Sequence, residues 1–347
     1  MQVGVNYPWL DYGWDFGLGP PEWRGTRQSP RWVEPIDAHL ERFRDLGISV
    51  VRWFILADGL TYGTGDQAPR PDEAGNDWRF DPPPLTEDFL NHFDTLLQRF
   101  AQTATSTSPP VQLLPVLVDF HFCDAGMRPV EHVDPFDPLQ VRPDPAWVKQ
   151  GRGDAIRDPV KRTRFLTAVL DPLLRVSAGH RQVIYAWELI NEPDWITKGW
   201  QRNPFAHTPI PEDAMLEFLE DGKQRIRAAG FKPTIGFASV RSLQKSGVTA
   251  EINQFHYYPN GRHRLERHAF DPQFPGIIGE FATVTTDVWP DLPGDRQSVA
   301  HRLQLAEAQG YPLALPWSFL AKDRHTGWSS AVEQEVRSFT RVRDADQ

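Results

Sequence analysis

The stretch QVIYAWELINEPDW (Gln182–Trp195) is largely apolar for nine residues and then breaks into Asn191, Glu192, Pro193 and Asp194. A short apolar run that ends in a proline turn reads as a buried strand rather than a helix. An unpaired carboxylate is costly to desolvate. Glu192 therefore marks either the point where the strand reaches solvent or a place where its protonation state is useful.

Seven further runs of this kind are spread along the chain: Val3–Tyr7, Ser49–Leu56, Val111–Phe122, Pro233–Ser239, Ile252–Tyr258, Gly276–Phe281 and Pro312–Phe319. Most are continuously apolar rather than alternating, as parallel strands covered on both faces should be. Between them lie segments with helical spacing, among them EPIDAHLERFRDLG ending at Gly47, TEDFLNHFDTLLQRF opening with Thr86 as a candidate N-cap, and DPVKRTRFLTAVLDPLLRV, where Pro172 predicts a kink or break. PEDAMLEFLEDGKQRIRAAG, SVRSLQKSG, GRHRLERHAF, DRQSVAHRLQLAEAQG and AVEQEVRSF follow. Eight strand–helix alternations predict a closed (β/α)8 TIM barrel with long βα loops, an open doubly wound sheet being the alternative. With no linker, repeat or low-complexity tract, residues 1–347 read as one catalytic domain.

The chain has 347 residues, 40% hydrophobic and 24% charged, which suits a large core. Its formal charge of -9 lacks the basic footprint that nucleic acid or an anionic membrane requires, so a neutral partner is expected. Cys123, the single cysteine, excludes an internal disulfide and sits in no visible triad. MQVGVNYPWL does not read as a secretory leader, and no apolar run approaches the roughly 18 residues of a membrane span. Compartment, either cytoplasmic or secreted after loss of a leader, and oligomeric state stay open.

Thirteen Trp and 32 Pro are high numbers, and Trp9, Trp14, Trp23, Trp78, Trp147, Trp195 and Trp200 fall in loop-like stretches. Aromatic rings stack on the C–H faces of sugars, but they also pin long loops. The loops Ala57–Leu85, Cys123–Asp158 and Pro193–Pro211 all follow strand C-termini, the end of a barrel that carries active sites.

The last residues of the runs form a set: Arg52, Asp119 and His121, Asn191 and Glu192, His256 and Tyr258, Glu280, and Trp317. Core packing accounts for one or two such residues and poorly for all of them. Glu192 and Glu280, separated by two intervening strands, can face each other across a closed barrel. A facing pair suits glycoside hydrolysis, with one carboxyl protonating the leaving oxygen while the other attacks or activates water. Mutual repulsion raises one pKa, which leaves one member protonated and the other ionised.

NEP ending strand four, GEF ending strand seven, HYY, DFHF and RWF resemble, in order and one per strand, the (β/α)8 glycoside hydrolases of clan A, most closely family 5, which includes cellulases and mannanases. The resemblance covers Val3 to Phe319. It implies that Glu192 is the acid/base, Glu280 the nucleophile, and Asn191 the amide that binds the sugar 2-hydroxyl. It further implies that Arg52 and Tyr258 aim an ionised Glu280 whose pKa Arg52 lowers, and that His121 and His256 line the cleft. Trp317 becomes a sugar platform followed by a cis peptide. A retaining mechanism with carboxyl groups about 5–5.5 Å apart and no cofactor is the consequence.

Other patterns are weak. Asp119 and His121 have no third metal ligand in their motif, so no metal is expected. His263 and His268 miss the helical zinc spacing, and GLGPPEWRG is not a dinucleotide fingerprint. Glu188, of the same strand parity as Glu192, reads as a deeper barrel-interior group paired with a neighbour. Trp9, Trp195 and Trp200 are candidate aromatic subsites. The expected partner is a carbohydrate, a β-linked gluco- or manno-configured sugar, with a slight lean to endo cleavage. An exo-acting glycosidase, a transglycosylase on short oligosaccharides or glycoconjugates, and a carbohydrate-binding pseudoenzyme are the alternatives.

Overall fold

β1 (Gln2–Asn6) pairs on one side with β2 (Ile48–Phe54) and on the other with β8 (Leu313–Trp317), so the sheet has no free edge. The remaining strands are β3 (Gln112–Asp119), β4 (Trp187–Asn191), β5 (Pro233–Phe237), β6 (Ile252–Tyr257) and β7 (Gly276–Ala282). All neighbours are parallel and sequential around a closed eight-stranded barrel. The expected TIM barrel is what forms, and the open-sheet alternative is excluded by the β1–β8 pairing. The computed structural model describes residues 1–10, 15–16, 33, 35–73, 77–106, 108–123, 131–133, 141–143, 148–200, 208–258, 276–283, 298–320 and 327–345, with backbone only for 131–133, 141–143 and 342–345.

Strands β4, β5 and β7 are buried along their whole length, which is why their sequences are continuous rather than alternating. The helices that alternate with the strands are α1 (Ile36–Asp45), α2 (Glu87–Ala101), α3 (Pro159–Ala178), α4 (Glu212–Ala228), α5 (Val240–Ser246), α6 (Val299–Ala308) and α7 (Ser330–Ala345). Helix α2 is representative. Thr86 caps it, its hydroxyl accepting from the Phe89 amide at 3.2 Å, which contributes about 1 kcal/mol. Phe89, Phe93, Leu96, Leu97 and Phe100 recur on its buried face, each contributing roughly 1.5–3 kcal/mol by leaving water.

Helix α3 is not broken at Pro172. A π turn over Leu166–Leu170 precedes the proline, and the carbonyl of Ala168, which Pro172 cannot serve for want of an N–H, accepts from the Leu85 amide at 3.4 Å. The helix expected over GRHRLERHAF, with His263 and His268, lies outside the described residues, as do Trp14, Trp23 and Trp147.

Two of the long loops contain small antiparallel pairs, Arg70–Pro71 with Trp78–Arg79 after β2 and Glu131–Val133 with Val141–Pro143 after β3. The β2 loop is pinned by the buried Arg152, which donates to the Tyr62 carbonyl from Nε (2.9 Å) and Nη2 (2.6 Å) and lies over the Phe80 and Phe122 rings. Trp78 packs with Ala68 and Val148, so this tryptophan anchors a loop. Inside the barrel, Val50, Leu114, Ala186, Ile252, Ile277, Leu313 and Leu315 form an apolar floor. Polar groups occupy the layers above it. Among the described residues, no helix is long and apolar enough to cross a membrane.

Candidate active site

Three register shifts sit near the C-terminal ends of the strands. They fall between Glu188 and Asn191 where β4 meets β5, between Phe255 and His256 where β6 meets β7, and between Ile278 and Phe281 where β7 meets β8. A bulge re-aims side chains that strict alternation would send elsewhere. Glu192 is then turned by a left-handed backbone (φ 48, ψ 49), uncommon for a non-glycine residue. The parity expected to put Glu188 and Glu192 on one face is therefore interrupted: Asn191, not Glu192, joins Glu188 against Arg52.

Arg52 is fully buried and every N–H donor finds an acceptor. Nε donates to Glu188 Oε2 (2.7 Å), Nη1 to Asn6 Oδ1 (2.9 Å) and Glu280 Oε1 (2.6 Å), and Nη2 to Glu188 Oε1 (2.6 Å) and Asn191 Oδ1 (2.7 Å). Its plane lies over Phe54, with the guanidinium carbon 5.0 Å from the ring centroid. With two carboxylates around it, Arg52 stays charged despite its burial.

The two predicted carboxylates converge. Glu280 accepts from Arg52 on Oε1 and from the Tyr258 hydroxyl on Oε2 at 2.8 Å. Glu192 accepts from the Trp195 indole N–H on Oε2 at 2.9 Å. His256 Nδ1 lies 2.7 Å from Glu192 Oε1 and 3.5 Å from Glu280 Oε2. Oxygen atoms of both glutamates and a nitrogen of His256 lie within 4.8 Å of one another. Hydrogen bonds from His256, Trp195, Tyr258 and Arg52 account for this cluster, and Asp119 and His121 bond each other (Oδ2 to Nδ1, 2.7 Å).

Electrostatics separates the two carboxyls. Burial, with the nearby carboxylates Asp194 and Asp119 adding to it, pushes Glu192 up to about 8, against the opposing pull of Arg52 and the Trp195 N–H. Burial also raises Glu280 above the usual carboxylate range, with Glu192 adding to it and His256, Arg52 and Tyr258 pulling it back. Arg52 thus acts in the expected direction, but burial outweighs it, and the net lowering of Glu280 is not found. Burial lowers His256, so its ring is neutral at pH 7. Among the described residues, Nε2 of that ring is buried without a hydrogen-bond partner, which fits a tautomer carrying its proton on Nδ1, toward the carboxylates.

The remaining predicted residues fall at different distances from this centre. Asn191 donates to Asp119 Oδ1 at 2.7 Å, the two being cross-strand partners, and His121, about a third exposed, extends that chain on a short 3-10 turn after β3. Trp317 is half-buried beside Trp9 and Phe54, both edge-on to it (ring centroids 6.4 and 6.3 Å), and the Trp317–Ser318 peptide is cis. Trp195 is half-buried and bonded to Glu192. Trp200 is not a subsite. It is 3% exposed, packs on Phe237 and donates to Glu212 Oε1 at 2.8 Å, so its faces are spent on holding its loop to the barrel.

Several site residues were not singled out from sequence. Asn6 holds the barrel seam, donating to the Gly279 carbonyl at 2.9 Å; its signal was that it ends β1 as a polar residue, like the others. Asp194, fully buried, accepts from the Ala238 amide at 3.0 Å and ties the turn after Glu192 to the top of β5. Gln254, fully buried, donates to Glu188 Oε2 at 2.9 Å.

No protein-family model and no curated protein sequence matches the chain. Solved structures do. The β-mannanase from the blue mussel Mytilus edulis is similar over 98% of this chain and 91% of its own, at 16% identity and a TM-score of 0.61. The β-1,4-D-mannanase from Cryptopygus antarcticus is similar over 97% and 89%, at 17% identity and a TM-score of 0.62. The exo-β-1,4-mannosidase Op5Man5 from Opitutaceae bacterium strain TAV5 is similar over 100% and 60%, at 13% identity and a TM-score of 0.56. The fold so defined is the (β/α)8 barrel found in these β-mannan-directed enzymes, here with two glutamates converging at the C-terminal end of the barrel.

Proposed function

We propose that the chain is a retaining β-glycoside hydrolase acting on β-linked gluco- or manno-configured sugars, with Glu192 as acid/base, Glu280 as nucleophile and residues 1–347 as one catalytic unit. The observation that carries this is the approach of Glu192 and Glu280 oxygen atoms to within 4.8 Å. Inverting enzymes need about 6.5–9.5 Å between their carboxyl groups to admit a water, and retaining ones about 5–5.5 Å.

In the first step a Glu280 oxygen attacks the anomeric carbon as the bond to the leaving oxygen breaks. That oxygen takes the proton of Glu192, which a pKa of about 8 keeps in place at neutral pH. In the second step the Glu192 carboxylate takes a proton from water, the water oxygen attacks the anomeric carbon and the bond to Glu280 breaks. Asn191, held by Arg52 and Asp119, offers its amide to the sugar 2-hydroxyl, and Trp317 with Trp9 forms the aromatic wall beside the reacting ring. His121 lines the same end of the cleft.

The mannan-directed neighbours make β-mannan the first substrate to try, and endo cleavage is the preferred mode. A panel of aryl β-glycosides, β-mannans and β-glucans with product analysis tests this. Mixed-length oligosaccharides support endo action, monosaccharide release exo action, and acceptor-dependent longer products transglycosylation. Sugar binding without turnover on every member would overturn hydrolysis in favour of a binding role.

A further inference from the structure

Beneath the two glutamates lies a buried carboxylate with no place in the proposed reaction. Glu188 is fully buried on β4 and grips Arg52 with both oxygens, Oε2 to Nε at 2.7 Å and Oε1 to Nη2 at 2.6 Å. Its Oε2 also accepts from Gln254 Nε2 at 2.9 Å, while Gln254 Oε1 accepts from the Thr234 hydroxyl at 3.2 Å. The barrel wall is cut away to admit this layer. A Cβ on Gly236 would come 2.3 Å from Glu188 Oε1, and one on Gly279 would come 2.4 Å from Gln254 Nε2.

We infer that Glu188 is a positioning residue, which fixes the Arg52 guanidinium in the orientation that presents Nη1 to Glu280 and Nη2 to Asn191. The inference rests on the hydrolase reading above. A bidentate carboxylate holds a planar guanidinium in both position and rotation, and the donors left over are then directed at the two groups nearest the chemistry. Charge balance alone does not require Glu188. Glu280 already neutralises Arg52, and a second buried carboxylate leaves the trio net negative, which burial disfavours.

A second consequence concerns charge. Arg52 is shared between two carboxylates, so only part of its attraction acts on Glu280. The other groups facing Glu280 are Tyr258, His256 and Glu192, and Asn6 completes the shell of Arg52. Making Glu188 neutral removes a negative neighbour from the cluster and leaves the whole Arg52 charge to Glu280, and both changes favour ionised Glu280.

The test compares Glu188→Gln and Glu188→Asp with wild type in kcat, KM and pH profile on an activated aryl glycoside. Glu188→Gln is expected to move the acid limb of kcat/KM down by about one pH unit and to lower kcat by about 10- to 100-fold with little change in KM. Glu188→Asp keeps the charge but withdraws the grip by one methylene, so kcat should fall about tenfold with the acid limb unmoved. It carries the test if Glu188→Gln does not fold. Folded variants with wild-type kcat and an unmoved acid limb in Glu188→Gln would overturn the inference, leaving Glu188 a barrel-core group. If wild type turns over no glycoside, the hydrolase reading fails separately. A 13C carboxyl titration of Glu280, assigned by its loss in Glu280→Gln, then decides: a downward move in Glu188→Gln supports the coupling and an unchanged value refutes it.

Discussion

Glu192 and Glu280 share one imidazole: His256 Nδ1 stands 2.7 Å from Oε1 of the first and 3.5 Å from Oε2 of the second. A neutral ring has one N–H to give, and the shorter distance assigns it to Glu192. Arg52 and Tyr258 serve Glu280 instead. The different donor sets make the two carboxyls chemically unequal although both lie beside the same ring.

If Glu280 is the nucleophile, Glu280→Ala should lose at least about 10⁴-fold in kcat, because no covalent intermediate forms. The truncation leaves room for a small anion. Azide should restore turnover of an activated aryl glycoside and yield a glycosyl azide of inverted configuration, read by NMR. A retained configuration would assign nucleophilic attack elsewhere.

If Glu192 is the acid, activity should fall on the alkaline side as it ionises near pH 8. Glu192→Gln should abolish that limb for substrates with good leaving groups, while reactions with poor leaving groups lose far more rate. Stability follows the same proton. The native carboxyl binds its proton more tightly than the unfolded one, so the native state holds more protons between the two pKa values. The stabilisation is complete below about 4.5 and is lost as pH rises toward about 8. Wild-type Tm should therefore decline over that interval more steeply than that of Glu192→Gln, and parallel curves would contradict a raised Glu192.

The barrel was legible because most of the parallel strands are buried on both faces and so appear as largely apolar runs, with polar residues toward their C-terminal ends. Glu192, Glu280 and Arg52 were found in that way. Parity was not legible beyond the bulges. Nothing in the spacing of Glu188, Asn191 and Glu192 reports that the register slips between the first two or that the third takes φ 48. Composition likewise could not tell Trp195, hydrogen-bonded to Glu192, from Trp200, buried on Phe237, since both stand in one polar, Pro-containing loop.

Trp195 donates to Glu192 Oε2, and an N–H donor favours the charged form of a carboxylate. Trp195→Phe keeps most of the aromatic bulk and removes the donor. The alkaline limb should move to higher pH, by on the order of one unit or less, with a modest fall in kcat from looser aim. A limb that moves to lower pH, or stays in place, would mean that the indole acts on substrate alone.

Trp200 and Trp9 should separate stability from binding. Trp200→Ala empties a buried site and should cost about 3–5 kcal/mol, seen as a lower Tm, with KM nearly unchanged. Trp9→Ala, at a half-buried ring beside Trp317, should cost little stability and raise KM by about tenfold through lost stacking. Exchanged outcomes would put the sugar on the Trp200 side.

Gly236 lies on β5 where a Cβ would stand 2.3 Å from Glu188 Oε1 and 2.9 Å from Gln254 Nε2. Its backbone needs no left-handed conformation, so what excludes a side chain here is space. Gly236→Ala must push Glu188 toward Arg52 or away from it, and neither has slack in a layer whose bonds are 2.6–2.9 Å. The expected destabilisation is about 1–3 kcal/mol, the usual result of overpacking a core. Gly222 supplies the control: its added methyl would meet the flexible end of Leu189 on the outer side of β4. Gly222→Ala should therefore lower Tm without changing kcat, whereas Gly236→Ala should lower both, as thermal melts and initial rates on the same preparations would reveal.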